Sequence, residues 1–249
     1  MIKIKTEKEI ELMRIAGRIT RDTLNLLKEH SKPNISTAEL DKIAYDYIIS
    51  QGAKPSFKHY QGFPASICAS INEEVVHGIP SKNRILKEGD ILSVDVGACY
   101  EGYHGDAART FAIGKIDAKK KKLIKVTEEC FFEGIKGIKA GNFVGDISHK
   151  VQLHAEKNGY GVVRELIGHG VGRELHEEPN VPNYGVAGSG PKLNAGAVIA
   201  VEPMITMGKR HVVFDESNGW TVSTKDGLPA AHYENTILIT PEGVEILTL

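Results

Sequence analysis

Cysteine is scarce in this chain of 249 residues. Only Cys68, Cys99 and Cys130 occur, widely spaced and without a CxxC pair. An odd number of distant thiols argues against a disulfide framework or a structural zinc knuckle and fits reduced cysteines in a cytoplasmic setting. Long hydrophobic runs are also missing: no apolar stretch approaches the ~20 residues that span a bilayer. Met1–Ile10 is too charged for a secretory leader. Nor does one sign of charge dominate. Lys and Arg number 31 against 32 Asp and Glu, a net −1 that gives no general reason to bind nucleic acid or membrane. There is no GxSxG elbow, and the cysteines have no local activation pattern. Ordinary contents of hydrophobic (41%) and charged (25%) residues exclude a disordered chain. The expectation is a soluble, cytoplasmic, globular protein.

Local signals are plentiful. Thr6-x-x-Glu9 reads as a capping box opening a long helix, with Ile10, Met13, Ile15, Ile19, Leu24 and Leu27 inward. Ser36-x-x-Glu39 opens a second, with Leu40, Ile43, Ala44, Tyr47 and Ile48 on its apolar face and Gly52 ending it. Residues 53–66 read as a loop, and Ile67, Ala69 and Ile71 alternate as in a strand. Residues 91–98 and 103–113 form a hairpin about Tyr100-Glu101-Gly102. A third helix is predicted over 118–139 and a fourth over 145–158. Strands follow near 161–167, 198–206, 211–214, 232–240 and 244–248. The lysines at 119–122 read as a solvated helix start rather than a nucleic-acid contact.

The pattern repeats. Shifted by 107 positions (139 − 32), Lys32 falls on Lys139, Glu39 on Asp146, Leu40 on Ile147 and Gly52 on Gly159. The same shift carries Leu86-x-x-Gly89-x-Ile91-x-x-Val94-Asp95 onto Leu193-x-x-Gly196-x-Val198-x-x-Val201-Glu202. Two copies of an αα-β-hairpin unit, facing each other across a shared curved antiparallel sheet, would each bring one carboxylate to a central cleft. The whole chain, 1–249, then reads as one catalytic domain of two halves, about 10–115 and 117–249.

Asp95 lies within the apolar strand Ile91–Val96, where a carboxylate is costly unless paired, capped or metal-bound. Asp106 stands symmetrically about the turn and would be its cross-strand neighbour. Two like charges that close call for a cation between them. Glu202 repeats the case beside Pro203, which suggests an edge or a bulge. Glu234, taken alone, reads as a surface residue at a strand start. His169 sits among glycines in Gly168-His-Gly-Val-Gly172, in a loop or ribbon that lacks phosphate-loop spacing. His77 reads equally as structural or functional. Together, four carboxylates and an imidazole form a hard, oxygen-rich set suited to two divalent cations that activate water.

Four segments carry a family resemblance: Asn72–Pro80, Gly89–Val96, Gly168–Arg173 with His176–Pro179, and Val201–Met204. Through them the chain resembles type I methionine aminopeptidases over essentially its whole length. The resemblance implies an α+β pita-bread fold and removal of the initiator methionine from nascent proteins when the second residue is small. It implies two divalent metal ions, of cobalt, manganese, iron(II) or zinc. Asp106 and Glu234 would bridge them, His169 and Glu202 would complete one site, and Asp95 the other. Glu202 matches the general base, His176 the group on the scissile carbonyl, and His77 the group on the peptide nitrogen. Tyr60, Phe63, Cys68 and Trp220 fall on methionine-pocket positions. Phe57 and Leu175 depart from some relatives and should reshape that pocket without making it polar.

The same ligands resemble those of prolidase and aminopeptidase P, which carry an added N-terminal domain. Only 31 residues lie between Glu202 and Glu234 (234 − 202 − 1), too few for the type II insertion. A short bacterial-type form, monomeric like its type I relatives, is the expectation, with the ribosome an open partner. A metal-free binding protein of the same fold is the non-enzyme alternative.

Overall fold

A computed structural model of the protein describes residues 2–249. Four helices are laid out as two pairs: α1 (Glu7–His30) with α2 (Thr37–Ser50), and α3 (Ala118–Ile135) with α4 (Val144–Lys157). Both predicted capping boxes form. The Thr6 N–H donates to the Glu9 carboxylate at 2.9 Å, and the Ser36 N–H donates to that of Glu39 at 2.9 Å. Each box satisfies backbone donors that a helix start would otherwise leave open.

The strands are short, and those that pair do so antiparallel. Ile91–Tyr100 and Tyr103–Ala112 form the central hairpin, with Ile67–Ile71 on the other edge of the first strand. The turn residues Glu101 and Gly102 both have positive φ (46° and 83°), which suits the twist of a two-residue hairpin. A second sheet runs in the order Val244–Ile246, Asn235–Ile239, Val198–Val201, Gly168–Gly170, Glu177–Val181. The two sheets meet in the middle. Asp106 N–H donates to Thr236 Oγ1 at 3.0 Å, and Glu234 N–H donates to the Ala108 carbonyl at 3.0 Å. Backbone contacts therefore set the two acidic residues side by side.

Strand alternation sorts the faces. Leu92, Val94, Val96 and Ala98 join Leu27, Leu40 and Ile48 in the core beneath the first helix pair. Ile199, Val201 and Ile237 join Phe131, Ile147 and Val151 beneath the second. Ser93, Asp95 and Gly97 are left on the opposite face.

The repeat holds down to single hydrogen bonds. The bridges Ser36↔Ile85 and Phe143↔Lys192 are related by the same shift (143 − 36 and 192 − 85 both give 107). Asn34 and Gly141 both take positive φ, and their N–H groups donate to the carbonyls of Leu86 and Leu193 at 2.8 Å each. Glu39 and Asp146 cap their helices in the same way, the latter accepting from Phe143 N–H at 2.8 Å. The fold is thus α+β and duplicated.

Several boundaries move. The third helix stops at Ile135, because Gly137 (φ 71°) turns the chain; Ile138 is buried from that turn rather than from the helix. The strand predicted over 198–206 is two, Val198–Val201 and Met204–Thr206, interrupted at Glu202-Pro203. That near 232–240 is also two, Ala230–His232 and Asn235–Ile239. The strand near 161–167 shrinks to Gly161–Val162.

Helix α1 lies close on the hairpin because both surfaces carry glycine. A Cβ on Gly105 would stand 2.8 Å from the Gly17 nitrogen, and one on Gly17 would strike the Leu247 carbonyl. Gly17→Ala gains about 1 kcal/mol of helix propensity. Overpacking against fixed backbone costs about 1–3 kcal/mol. The expected net result is a lower midpoint in chemical denaturation, whereas an increase would show that α1 can shift outward freely.

Candidate metal centre and substrate cavity

The hairpin register differs from the expected one by two residues. Asp95 stands opposite Ala108, and Asp106 opposite Gly97. The turn is centred one residue further on, at Glu101-Gly102, than symmetry about Tyr100-Glu101 implied. The two aspartates are therefore diagonal neighbours. They remain on one face, because the change is by an even number of residues. Gly97 and Ala108 occupy the other diagonal; a Cβ on Gly97 would stand 2.7 Å from Ser56 Cβ and 2.8 Å from Phe57 Cε1, so its missing side chain lets that segment pack closely on the hairpin.

Glu202 follows directly on the strand Val198–Val201, where Pro203 breaks the ladder; Asn183 Nδ2 donates to its carbonyl at 2.9 Å. Glu234 is not a surface residue: it is 2% exposed, in the break between two strands. Ala108 holds it by backbone hydrogen bonds in both directions. His169 is in the middle of the strand Gly168–Gly170, which settles the loop-or-ribbon question for a strand. Gly168 and Gly170 leave no room for side chains: a Cβ on either would collide with neighbouring carbonyls.

The acidic groups converge. His169 Nε2 lies 3.8 Å from Asp106 Oδ2 and 3.7 Å from Glu202 Oε1. Asp106, His169 and Glu234 offer ligand atoms all within 4.8 Å of one another. So do Asp95, His232 and Glu234. Glu234 belongs to both groups. These separations exceed hydrogen-bond length and suit atoms arranged around a cation at about 2.0–2.2 Å each.

Electrostatics point the same way. Burial raises the pKa values of Asp95, Glu202 and Glu234 well above the ordinary range, and the neighbouring carboxylates raise them further. Burial raises Asp106 also. The Oδ1 atoms of Asp95 and Asp106 are buried with no hydrogen-bond partner. Among the described residues no Lys or Arg forms an ion pair with any of the four. Arg109 donates instead to the Glu234 backbone carbonyl and to Asn235 Oδ1. Burial also depresses the pKa values of His169 and His232 to about 3, so both rings stay neutral, as ligands must be. Orphaned buried oxygens, like charges without counterions and neutral imidazoles fit divalent metal ions.

Above this floor opens a cavity of about 220 Å3. Tyr60, Phe63, Cys68, His77, His176 and Trp220 line it, as do the five acidic and imidazole residues named from the sequence. Phe57 and Leu175, 8% and 2% exposed, pack into its apolar wall with Phe63 and Cys68. Phe63 and Trp220 meet edge to face, with ring centroids 5.1 Å apart. Tyr60 hydroxyl and His176 Nδ1 are 2.8 Å apart, and the His176 ring lies 4.1 Å from that of His169. His77 takes φ 59°, a left-handed conformation uncommon outside glycine, and burial lowers its pKa to about 4.

The sequence reading missed one member of the site. His232 is 2% exposed, with Nε2 3.6 Å from Glu202 Oε2 and 3.8 Å from Glu234 Oε2. Its position two residues before Glu234 was the available signal.

The model of metallopeptidase family M24 matches residues 11–241. The chain belongs to that family. It is 59% identical over 249 residues to a methionine aminopeptidase of Clostridium acetobutylicum, covering 100% of this chain and 99% of that one. The crystal structure of methionine aminopeptidase from Rickettsia prowazekii superposes with a TM-score of 0.98 at 42% identity, covering 100% of both chains. A prolidase from Pyrococcus horikoshii OT3 is more distant, with TM-score 0.80 and 26% identity, and this chain spans only 63% of it. Within M24 the chain therefore groups with the methionine aminopeptidases.

Proposed function

We propose that the protein removes the N-terminal initiator methionine from nascent polypeptides whose second residue is small, using two divalent cations. The observation that carries this reading is the pair of ligand groups sharing Glu234 at the floor of an apolar cavity. Asp95, Asp106, His169, Glu202 and Glu234 would hold the ions. Bound there, the ions supply a Lewis acid for the scissile carbonyl and lower the pKa of the attacking water. The ligand chemistry admits cobalt, manganese, iron(II) or zinc.

The remaining work falls to the protein's own side chains. Tyr60, Phe63, Cys68 and Trp220 surround the methionine side chain. Glu202, a carboxylate whose pKa is raised by burial, takes the proton of the attacking water. His176, steadied through Nδ1 by Tyr60, offers its other nitrogen to the scissile carbonyl as that oxygen gains charge. His77 faces the peptide nitrogen that leaves.

Both halves of the chain supply acidic residues, which supports one catalytic domain with halves at about 10–115 and 117–249. No helix among the described residues is long and apolar enough to cross a membrane. In this reading the protein works as a cytoplasmic monomer, with its substrates coming from the ribosome.

The test compares hydrolysis of Met-Ala-Ser with that of an Xaa-Pro dipeptide, with cobalt, manganese and iron(II) added in turn. Release of methionine is expected. Cleavage of the Xaa-Pro dipeptide alone would favour the prolidase reading, and inactivity with every metal would defeat the enzyme reading. Trp220→Ala removes one wall of the pocket. Burying an apolar side chain contributes about 1.5–3 kcal/mol, so kcat/KM should fall about 10- to 100-fold, mostly through KM. An unchanged KM would take Trp220 out of the pocket.

A further inference from the structure

His232 is a buried imidazole without a partner. Its Nε2 makes no hydrogen bond and is shielded from solvent. Leaving a buried polar atom unpaired costs about 1–3 kcal/mol, so such an atom calls for an explanation. The nearest oxygens are Glu202 Oε2 at 3.6 Å and Glu234 Oε2 at 3.8 Å. Both are too far for a hydrogen bond. With Asp95 and Glu234, however, His232 completes a set of residues whose ligand atoms lie within 4.8 Å of one another, and Nε2 is the ring nitrogen that faces the carboxylates.

The backbone holds the ring in place. His232 N–H donates to Thr110 Oγ1 at 2.9 Å, and the Thr110 hydroxyl donates to the His232 carbonyl at 2.9 Å. Ser93 Oγ lies 2.8 Å from Thr110 Oγ1 and fixes that hydroxyl in turn. Ser93 and Thr110 belong to the hairpin that carries Asp95 and Asp106. The hairpin thus sets the position of the imidazole as well as of the aspartates.

We propose that His232 Nε2 is a direct ligand of the metal ion held by Asp95 and Glu234. This inference rests on the dinuclear reading given above. Each ion then has one imidazole: His169 beside Asp106, and His232 beside Asp95. An otherwise all-oxygen site suits magnesium and manganese as well as later metals. A nitrogen ligand moves it toward cobalt, iron(II) and zinc. His232 therefore sets which metal the second site prefers.

The test titrates metal-free protein with cobalt(II), and separately with manganese(II), by calorimetry. Wild type is compared with His232→Ala and His232→Gln. X-ray absorption at the cobalt edge then counts imidazoles in each cobalt-loaded form. In both variants one of the two cobalt ions should bind more weakly by more than the roughly 10- to 100-fold lost when only an outer partner of a metal ligand is removed, with a smaller change for manganese. Imidazole scattering per cobalt should fall by half. The metal-free variants should melt no lower than wild type, since an orphaned nitrogen has gone. Unchanged cobalt affinity and imidazole scattering would overturn the proposal. So would a lower metal-free melting temperature with both cobalt sites intact, which marks a structural ring. A wild type that binds no cobalt would remove the metal reading of the whole site, and this inference with it.

Discussion

Glu202→Gln is expected to reduce turnover of Met-Ala-Ser by about 10²- to 10⁴-fold, the range for loss of a positioned proton acceptor. The amide keeps the shape of the carboxylate but cannot take a proton. The fold should survive for two reasons. Glu202 is held through its backbone by Asn183, a contact the substitution leaves alone. Its side chain also adds repulsion to a buried acidic group, so a neutral replacement relieves the metal-free protein. Circular dichroism and the metal-free melting temperature would check the fold while stopped-time assays check turnover. Wild-type turnover in the variant would remove Glu202 from the mechanism.

Removal of the metals has the second large effect. Chelation should abolish activity and lower the melting temperature. Ligand at 1,000 times its Kd stabilises the native state by about 4 kcal/mol, all of which chelation takes away. The pH dependence should change with it. In the metal-free protein the folded-state pKa values of Asp95, Asp106, Glu202 and Glu234 lie above their unfolded values. Protonation therefore favours the folded state. The stability linked to it is fully present below the unfolded pKa and is lost as pH rises through the folded values. Asp106 is raised to about 7, so its share is lost as pH rises through that value, and the other three, raised well above the ordinary range, add loss in the same direction. His169, His232 and His77 have folded values of about 3 to 4 and contribute the opposite slope only below about pH 6.5. Metal-free protein should therefore melt at lower temperature at about pH 8 than at about pH 6.5, on either side of the Asp106 value, while metal-loaded protein should not. Equal slopes for both forms would mean that the carboxylates are balanced by something other than the ions.

The helices were legible because their signals are local. Thr6-x-x-Glu9 and Ser36-x-x-Glu39 are complete within four residues, and both boxes form. The repeat was legible because equivalent residues do equivalent jobs, down to the paired bridges at Ser36 and Phe143. Strand pairing was less so. The hairpin register depended on which two residues took positive φ, and Glu101-Gly102 does so rather than Tyr100-Glu101. Glu234 was unreadable because its burial comes from contacts across more than 120 residues, with Ala108 and Thr110 lying under its segment. His232 had a signal, since alternate residues share a face, but the strand break at residues 233 and 234 obscured it. The pocket residues come from three separate segments: Tyr60 and Phe63 from one turn, Cys68 from a strand, and Trp220 from a distant loop. The family resemblance nominated them, and their gathering around one cavity is a property of the tertiary structure.

The central claim is that methionine release depends on ions held between Asp95, Asp106, His169, Glu202 and Glu234. The most direct measurement adds cobalt(II) stepwise to metal-free protein and records bound metal and Met-Ala-Ser hydrolysis in the same samples. Activity should be absent at the start, rise with bound metal and level off by two ions per chain. Full hydrolysis in the metal-free protein, or bound cobalt without any methionine release, would contradict the account.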